Sequence, residues 1–205
     1  MKRKLSIYLV HPISGLTYEQ VNDYYNEKSK LYSDLGFEVY HPMTGKKQLR
    51  PEVEYKAHGV TGNPVASNHA IFERDGFMCR KVDILFADLI GCKGVSIGSC
   101  MELAIGSCYN KHTVVAMEKD NPHMHAFVLE AADTIFETEP EAREYLRQLI
   151  GAEEPSINDR KVQVATEGCE SVLKIVDNPE VSMATKVDAA RDIATSMLDV
   201  LRLKT

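Results

Sequence analysis

Two acidic side chains stand where acidic side chains are unusual. Glu102 lies in the small, apolar run GSCMELAIG at residues 98–106, and Asp75 lies in FERDGF, near the end of a predicted helix. Retaining glycosyl transfer needs two carboxylates about 5 Å apart: one attacks the anomeric carbon and the other handles the proton of the leaving group. If the fold brings these two residues together, they could perform that chemistry.

Both carboxylates also have purely structural interpretations. Ser99-x-x-Glu102 has the form of a capping box, in which two side chains satisfy backbone N–H groups at a helix start. Asp75 could be a salt-bridged aspartate on the surface. If Glu102 is instead a nucleophile, the N–H groups of this helix turn are expected to hold it and keep it ionised.

The elements that would position these residues alternate between strand and helix over the first 150 residues. Short apolar runs predict strands at LSIYLV, FEVYHP, VDILFADLI, HTVVAM and ADTIFE. Helices are predicted from the capping box Thr17-x-x-Gln20 to Gly36, from Ser67 through SNHAIFERDGFMCRK, from Ser99 to about Asn110, and over EPEAREYLRQLI. Residues 43–66 are predicted to form a long loop.

This alternation predicts an α/β fold: an open parallel sheet of about five strands with helices on both faces, flavodoxin-like or Rossmann-like. Ligands bind such sheets at the carboxyl ends of the strands. The segment GAEEPSIND predicts a linker between a first domain, 1–150, and a helical extension, 151–205. The extension is expected to form a helical hairpin that packs on its own domain or on a second subunit, through the stripe Met183, Val187, Ala190, Ala194, Met197 and Leu201.

Composition excludes several classes of function. The chain has 205 residues, 44% of them hydrophobic, and a formal net charge of -6, which argues against binding a nucleic-acid duplex. No apolar run reaches the length of a membrane span. Five cysteines without a C-x-x-C pair predict reduced thiols, a cytoplasmic protein and no metal site, with Cys100 in the core.

The common motifs of nucleotide-binding proteins and hydrolases are missing. The sequence contains neither G-x-G-x-x-G nor G-x-x-x-x-G-K-[ST], and it lacks G-x-S-x-G. What remains is a helix start that carries Ser96, Gly98 and Ser99. Exposed N–H groups and the helix dipole favour an anion at such a start, although many helix starts bind nothing.

In three segments the sequence resembles the nucleoside 2-deoxyribosyltransferase superfamily, which includes the 2'-deoxynucleoside 5'-phosphate N-hydrolases. The matching segments are IYLVHPISG, RDGFMCRKVDILFADL and SIGSCMELAIG, and the match spans roughly residues 4–149. The resemblance implies that Glu102 is a nucleophile that forms a covalent 2-deoxyribosyl ester. It implies that Asp75 handles the proton of the departing base and that Tyr8 orients Glu102.

The resemblance also implies residues that bind the substrate. Ser96, with Gly98 and Ser99, would face a 5'-phosphate, because the transferases that act on free nucleosides tend to carry an acidic residue at the position of Ser96. Ile13, Ser14 and Gly15 would contact the substrate from the loop after the first strand. An arginine that some monophosphate hydrolases have near this loop is missing here, and Arg50, Arg74 and Lys93 are the cations that would substitute for it.

The region of His123 and His125 often completes a neighbouring subunit's site in this family, so a homo-oligomer, a dimer or larger, is expected. The expected activity is cleavage of the N-glycosidic bond of a 2'-deoxynucleoside 5'-monophosphate, without a cofactor or a metal. Base exchange on free deoxynucleosides is the alternative within the family. The alternative of another class is a non-catalytic module that senses a nucleotide and uses its C-terminal helices as the output surface.

Overall fold

The computed structural model describes residues 3–46, 59, 63–152, 168–169, 171–179 and 181–201, and only the backbone of residues 196–201. The chain divides into two compact units, Met1–Ala152 and Glu153–Thr205. Most of the predicted loop at 43–66, including Arg50, and most of the predicted linker lie outside the described residues.

A five-stranded parallel sheet forms the centre of the first unit. Its strands are β1 (Ser6–Val10), β2 (Glu38–Tyr40), β3 (Ile84–Asp88), β4 (His112–Ala116) and β5 (Thr134–Phe136), in the order β2-β1-β3-β4-β5. This arrangement confirms the predicted α/β fold. The strand order reverses direction between β1 and β3, and the crevice above such a point is where ligands bind in sheets of this kind.

Five helices of the first unit are described: α1 (Tyr18–Leu35), α2 (Asn68–Lys81), α3 (Ile97–Cys108), α4 (Ala126–Ala131) and α5 (Glu139–Leu149). Local signals set several of their ends. Thr17 and Gln20 form the predicted capping box of α1, Gly36 ends that helix with a φ of 112°, and Ser67 caps α2. The six-residue helix α4 was not predicted, because it is too short to show a helical period.

Alternate residues of the strands face opposite layers of helices. Ile7 and Leu9 of β1 pack with residues of α1 and α5, whereas Tyr8 and Val10 pack with residues of α2, α3 and α4. The side chain of Tyr8 therefore lies on the face of the sheet that carries the helices of Asp75 and Glu102.

The second unit contains α6 (Met183–Leu201) and helical residues at 171–176. Met183 and Val187 of the predicted stripe are 75% and 50% exposed, and what the stripe packs on stays a prediction. The side chains of Met197 and Leu201 lie outside the described residues. Among the helices that the structure describes, none has the length and hydropathy needed to cross a membrane.

Candidate active site

A cavity of about 1140 Å³ opens at the carboxyl ends of β1 and β3. Its walls come from the loops after β1, β2 and β3, from α2 and from the first half of α3. Most of the predicted site residues line it: Ile13, Ser14, Asp75, Ser96, Gly98, Ser99 and Glu102. The volume is large enough for a small metabolite such as a nucleotide.

Glu102 reaches the sheet because α3 packs closely on it. The Tyr8 hydroxyl donates a hydrogen bond of 2.7 Å to Oε1 of Glu102, and Tyr8 itself is completely buried. One helical turn after Glu102, Gly106 lies so near the sheet that a Cβ there would be 2.8 Å from Cδ2 of Leu85. The missing side chain at Gly106 therefore allows the approach that joins Glu102 to Tyr8.

The helix α3 starts earlier than the sequence predicted. Its N-cap is Ser96, whose hydroxyl accepts a hydrogen bond of 3.3 Å from the backbone N–H of Ser99. Ser99 is thus the third residue of the helix and Glu102 the sixth. The capping-box interpretation of Ser99 and Glu102 is wrong, because neither residue lies where it could form that box.

Burial dominates the electrostatics of Glu102. Removal of its carboxyl from water raises its pKa to about 8, the hydrogen bond from Tyr8 opposes this rise, the charge of Asp75 adds to it, and the Lys46 ammonium opposes it. The structure therefore differs from the expectation that the helix start keeps Glu102 ionised. As the sixth helical residue, Glu102 lies beyond the first-turn N–H groups, whose effect falls off within that turn.

Asp75 lies between two cations. Its Oδ2 is 3.3 Å from Nζ of Lys46, and its Oδ1 accepts a hydrogen bond of 3.1 Å from Nε of Arg74. The Lys46 side chain is only 4% exposed and lines the cavity. The sequence analysis missed Lys46, whose single signal was its place after Gly45 in the loop that follows β2.

A buried histidine holds the turn that contains Ser96. The backbone N–H of Ser96 donates to Nε2 of His123 at 2.8 Å, while Nδ1 of His123 lies 2.9 Å from Oδ1 of Asn121. Because Nε2 accepts, we assign the ring proton to Nδ1. Burial lowers the pKa of His123, which favours this neutral form. At 1% exposure, His123 is not available to a neighbouring subunit's site.

Besides Tyr8, which lies in the core behind Glu102, two predicted site residues lie apart from the cavity wall. Gly15 forms a turn next to Ser14, with a φ of +85°. His125 is the N-cap of α4, where its Nδ1 accepts a hydrogen bond of 3.2 Å from the N–H of Phe127. It lines a separate cavity of about 340 Å³ between α3 and α4.

The three cations suggested for phosphate binding have different surroundings. Lys93 is exposed and lines the cavity. Arg74 is engaged with Asp75 and donates a hydrogen bond of 3.0 Å from Nη1 to the carbonyl oxygen of Val65. Arg50 lies outside the described residues. Of these three cations, Lys93 is therefore the described one with an open position on the cavity wall.

His11 is a further cavity residue to which the sequence analysis gave no role. Its ring stacks on Tyr24 with 3.9 Å between the centroids, and its Nδ1 lies 2.8 Å from the carbonyl oxygen of Asp88. Cys100 is partly buried against the core. Within the described residues, no group of three or more His, Cys, Asp or Glu side chains is arranged to hold a metal ion.

Three comparisons relate this chain to known proteins. No family model and no curated protein matches the sequence. A solved 2-deoxyribosyltransferase from Bacillus psychrosaccharolyticus matches with 20% identity and a TM-score of 0.50, covering 68% of this chain and 91% of that one. A transferase described as a 2-desoxiribosyltransferase from Leishmania mexicana matches with 18% identity and a TM-score of 0.48, covering 70% and 97%. A CMP N-glycosidase from Clostridium botulinum matches with 15% identity and a TM-score of 0.42, covering 70% and 96%. The first of these matches shows that the two chains share a fold.

Proposed function

We propose that this chain, which has the fold of a 2-deoxyribosyltransferase, cleaves the N-glycosidic bond of a 2'-deoxynucleoside 5'-monophosphate. In the proposed reaction, the Glu102 carboxylate attacks C1' of the sugar, the base departs with a proton, and water hydrolyses the resulting ester. The solved proteins with this fold include enzymes named for acting on deoxyribosyl groups and on CMP, which supports glycosyl chemistry in general.

The hydrogen bond between Tyr8 and Glu102 is the observation that carries the proposal. It fixes one carboxylate on the cavity wall, and the same cavity is lined by Asp75 and Lys46. A fixed carboxylate can stabilise positive charge on the sugar ring as the bond to the base breaks. Lys46, the ammonium group beside Asp75, lines the same cavity, where a proton for the departing base is needed.

The start of α3 supports a 5'-phosphate as part of the substrate. The Ser96 hydroxyl accepts hydrogen bonds from the N–H and the hydroxyl of Ser99, so its own proton remains available for a donor role. The N–H groups of Ile97 and Gly98 belong to the first turn and have no acceptor within the helix. These donors, with the helix dipole and the nearby Lys93, suit a phosphate.

Turnover of a substrate panel tests the proposal. The panel contains deoxynucleosides and their 5'-monophosphates, each with and without a second free base. Glu102→Gln is expected to abolish turnover and to remain folded, because the amide keeps the size of the side chain and loses the nucleophile. Wild-type protein incubated with a slow 2-fluoro substrate is expected to carry a sugar adduct on Glu102, detected by mass spectrometry.

Ser96→Ala is the variant that tests the phosphate. It should lower kcat/KM for monophosphates by about tenfold or more, since charge-assisted hydrogen bonds are lost, and should barely change the reaction of free nucleosides. Preference of the wild type for free nucleosides, with transfer to a second base, would favour base exchange instead. Binding of nucleotides without any turnover would favour a sensing module. Near-normal activity of Glu102→Gln would exclude the covalent mechanism.

A further inference from the structure

We propose that the Lys46 ammonium protonates the departing base, and that Asp75 acts by holding Lys46 in place. This inference rests on the proposed function and deepens it. It assigns the proton to a residue that the resemblance to the transferase superfamily did not single out.

Both carboxylate oxygens of Asp75 face a cation. Oδ2 faces Nζ of Lys46 and Oδ1 faces Nε of Arg74, both within hydrogen-bond distance. Each of these neighbours is a donor without an acceptor atom. With a cation at each of its oxygens, Asp75 is suited to positioning Lys46.

Lys46 is buried on the cavity wall. A lysine is seldom so deeply buried unless its charge is paired or has a function, because the charge loses hydration there. Its ammonium group has three donors, and within the described residues Asp75 is the acceptor that the structure gives it. The remaining donors are available to a ligand in the cavity that Lys46 lines.

Lys46 can release a proton more easily than Arg74 can. The charged and titratable groups that face Lys46 are Asp75, Glu102, Arg74 and His41. Burial lowers the pKa of Lys46 and the charge of Arg74 lowers it further, whereas Asp75 and Glu102 oppose the shift. Arginine keeps its proton under all ordinary conditions, so Lys46 is the cation beside Asp75 that can release one.

In the proposed step, Glu102 attacks the sugar and Lys46 protonates the base. An oxygen of the Glu102 carboxylate bonds to C1' while the bond from C1' to the base nitrogen breaks, and that electron pair moves into the base. A ring nitrogen or carbonyl oxygen of the base takes a proton from Lys46, which becomes a neutral amine. Water then attacks C1', its proton returns to the amine, and the C1'–oxygen bond to Glu102 breaks to restore the carboxylate.

The test compares a natural leaving base with an activated one. Lys46→Met removes the proton donor at similar length, and Lys46→Arg keeps the charge but not the acidity. Each is assayed with a deoxynucleoside monophosphate and with 4-nitrophenyl 2-deoxyriboside 5-phosphate, whose leaving group needs no proton. Lys30→Met is the control substitution, because Lys30 is 81% exposed and paired with Asp34 on α1.

Both Lys46 variants are expected to lose about 10²–10⁴-fold in kcat/KM on the nucleotide and to keep most of their activity on the nitrophenyl substrate. Asp75→Asn is expected to move the basic limb of the wild-type pH–rate profile to lower pH, because the charge of Asp75 raises the pKa of Lys46. Turnover of the nitrophenyl substrate by a variant also shows that it is folded.

Recovery of activity in Lys46→Arg would overturn the inference, because charge without acidity would then suffice. Equal losses on both substrates would overturn it as well. In either case, wild-type turnover with a Glu102 adduct would leave the proposed function standing. Absence of wild-type turnover on both substrates would overturn the function, and the inference with it.

Discussion

Burial holds the carboxyl of Glu102 in the protonated state, which the proposed reaction does not use. With a pKa of about 8, Glu102 is mostly protonated at neutral pH. The proposed nucleophile is the ionised form. Burial makes its negative charge unfavourable, and the positive charge that develops on the sugar can stabilise it. Burial is the cause, and it should also be visible in the stability of the protein without any substrate.

We expect the stability of the wild type relative to Glu102→Gln to fall as the pH rises. The folded-state pKa of Glu102 lies at about 8, above its ordinary value of 4.5. The folded protein therefore binds the proton more tightly than the unfolded chain, and this stabilisation is complete below the unfolded pKa and lost as the pH passes through the folded one. Glutamine does not titrate, so the difference between the two proteins reports this carboxyl.

Thermal unfolding of both proteins between pH 4.5 and pH 9 provides the measurement. Relative to Glu102→Gln, wild-type protein should lose melting temperature steadily up to about pH 8 and little beyond it. A constant difference across this range would mean that the Glu102 pKa is not raised. Tyr8 keeps its proton throughout, because burial and the charge of Glu102 raise its pKa well above the usual value.

At the scale of elements, the spacing between α3 and the sheet decides whether the site forms. Gly106 packs against Leu85 of β3 and Thr113 of β4, and an added Cβ would lie 2.8 Å and 3.1 Å from their nearest atoms. Such contacts involve side chains in a dense core, where an extra methyl group forces a shift of the backbone. A shift of α3 moves Glu102 away from Tyr8.

Gly106→Ala is expected to destabilise the protein by about 1–3 kcal/mol and to lower kcat/KM, because α3 must move outward. The matched control is Gly98→Ala in the same helix, whose added Cβ has nothing within 4 Å. Gly98→Ala should lose no stability, since alanine favours a helix. Urea unfolding of both variants gives the measurement, and equal stabilities would contradict the role of Gly106 as a spacer.

Helix ends differ in how clearly the sequence marks them. The ends of α1 were predictable because Thr17, Gln20 and Gly36 act on neighbouring backbone groups. The start of α3 was misplaced because three small residues, Ser96, Gly98 and Ser99, all have the composition of a helix start. Only the fold selects Ser96, by binding its N–H to the buried ring of His123.

The ion pair of Lys46 with Asp75 was not predictable from the sequence. The two residues are 29 positions apart, and part of the chain between them was predicted to be an irregular loop. Neither periodicity nor a motif marks a loop lysine as buried, because its burial follows from contacts with residues distant in the sequence, such as Asp75. The central strands β1, β3 and β4, in contrast, were visible as short apolar runs, since nearly all of their residues are buried on both faces.

For the whole molecule, every described residue of the cavity belongs to the unit Met1–Ala152. The end of this unit is tied back to α5, because the N–H of Ala152 donates a hydrogen bond of 3.2 Å to the carbonyl oxygen of Arg147. In the second unit, apolar residues such as Met183 are exposed. The first unit thus carries the described cavity residues and the second carries exposed apolar residues, so the role of each unit can be tested separately.

A chain that ends after Ala152 is expected to unfold cooperatively and to keep a kcat/KM close to that of the full chain, because the site and its core are retained. Native mass spectrometry of both chains then shows whether α6 takes part in an oligomer. A folded but inactive truncated chain would mean that residues after Ala152 complete the site, directly or through assembly.

The composition of the cavity wall affects how this protein can evolve. Tyr8 binds Glu102 from inside the core, whereas much of the wall around them belongs to loops and helix starts, with half-exposed residues such as Phe72 and Val95. Substitutions at such exposed positions cost little stability. Mutation can therefore alter which ligand fits while the reacting centre stays intact, so selection for a new substrate need not proceed through unstable intermediates.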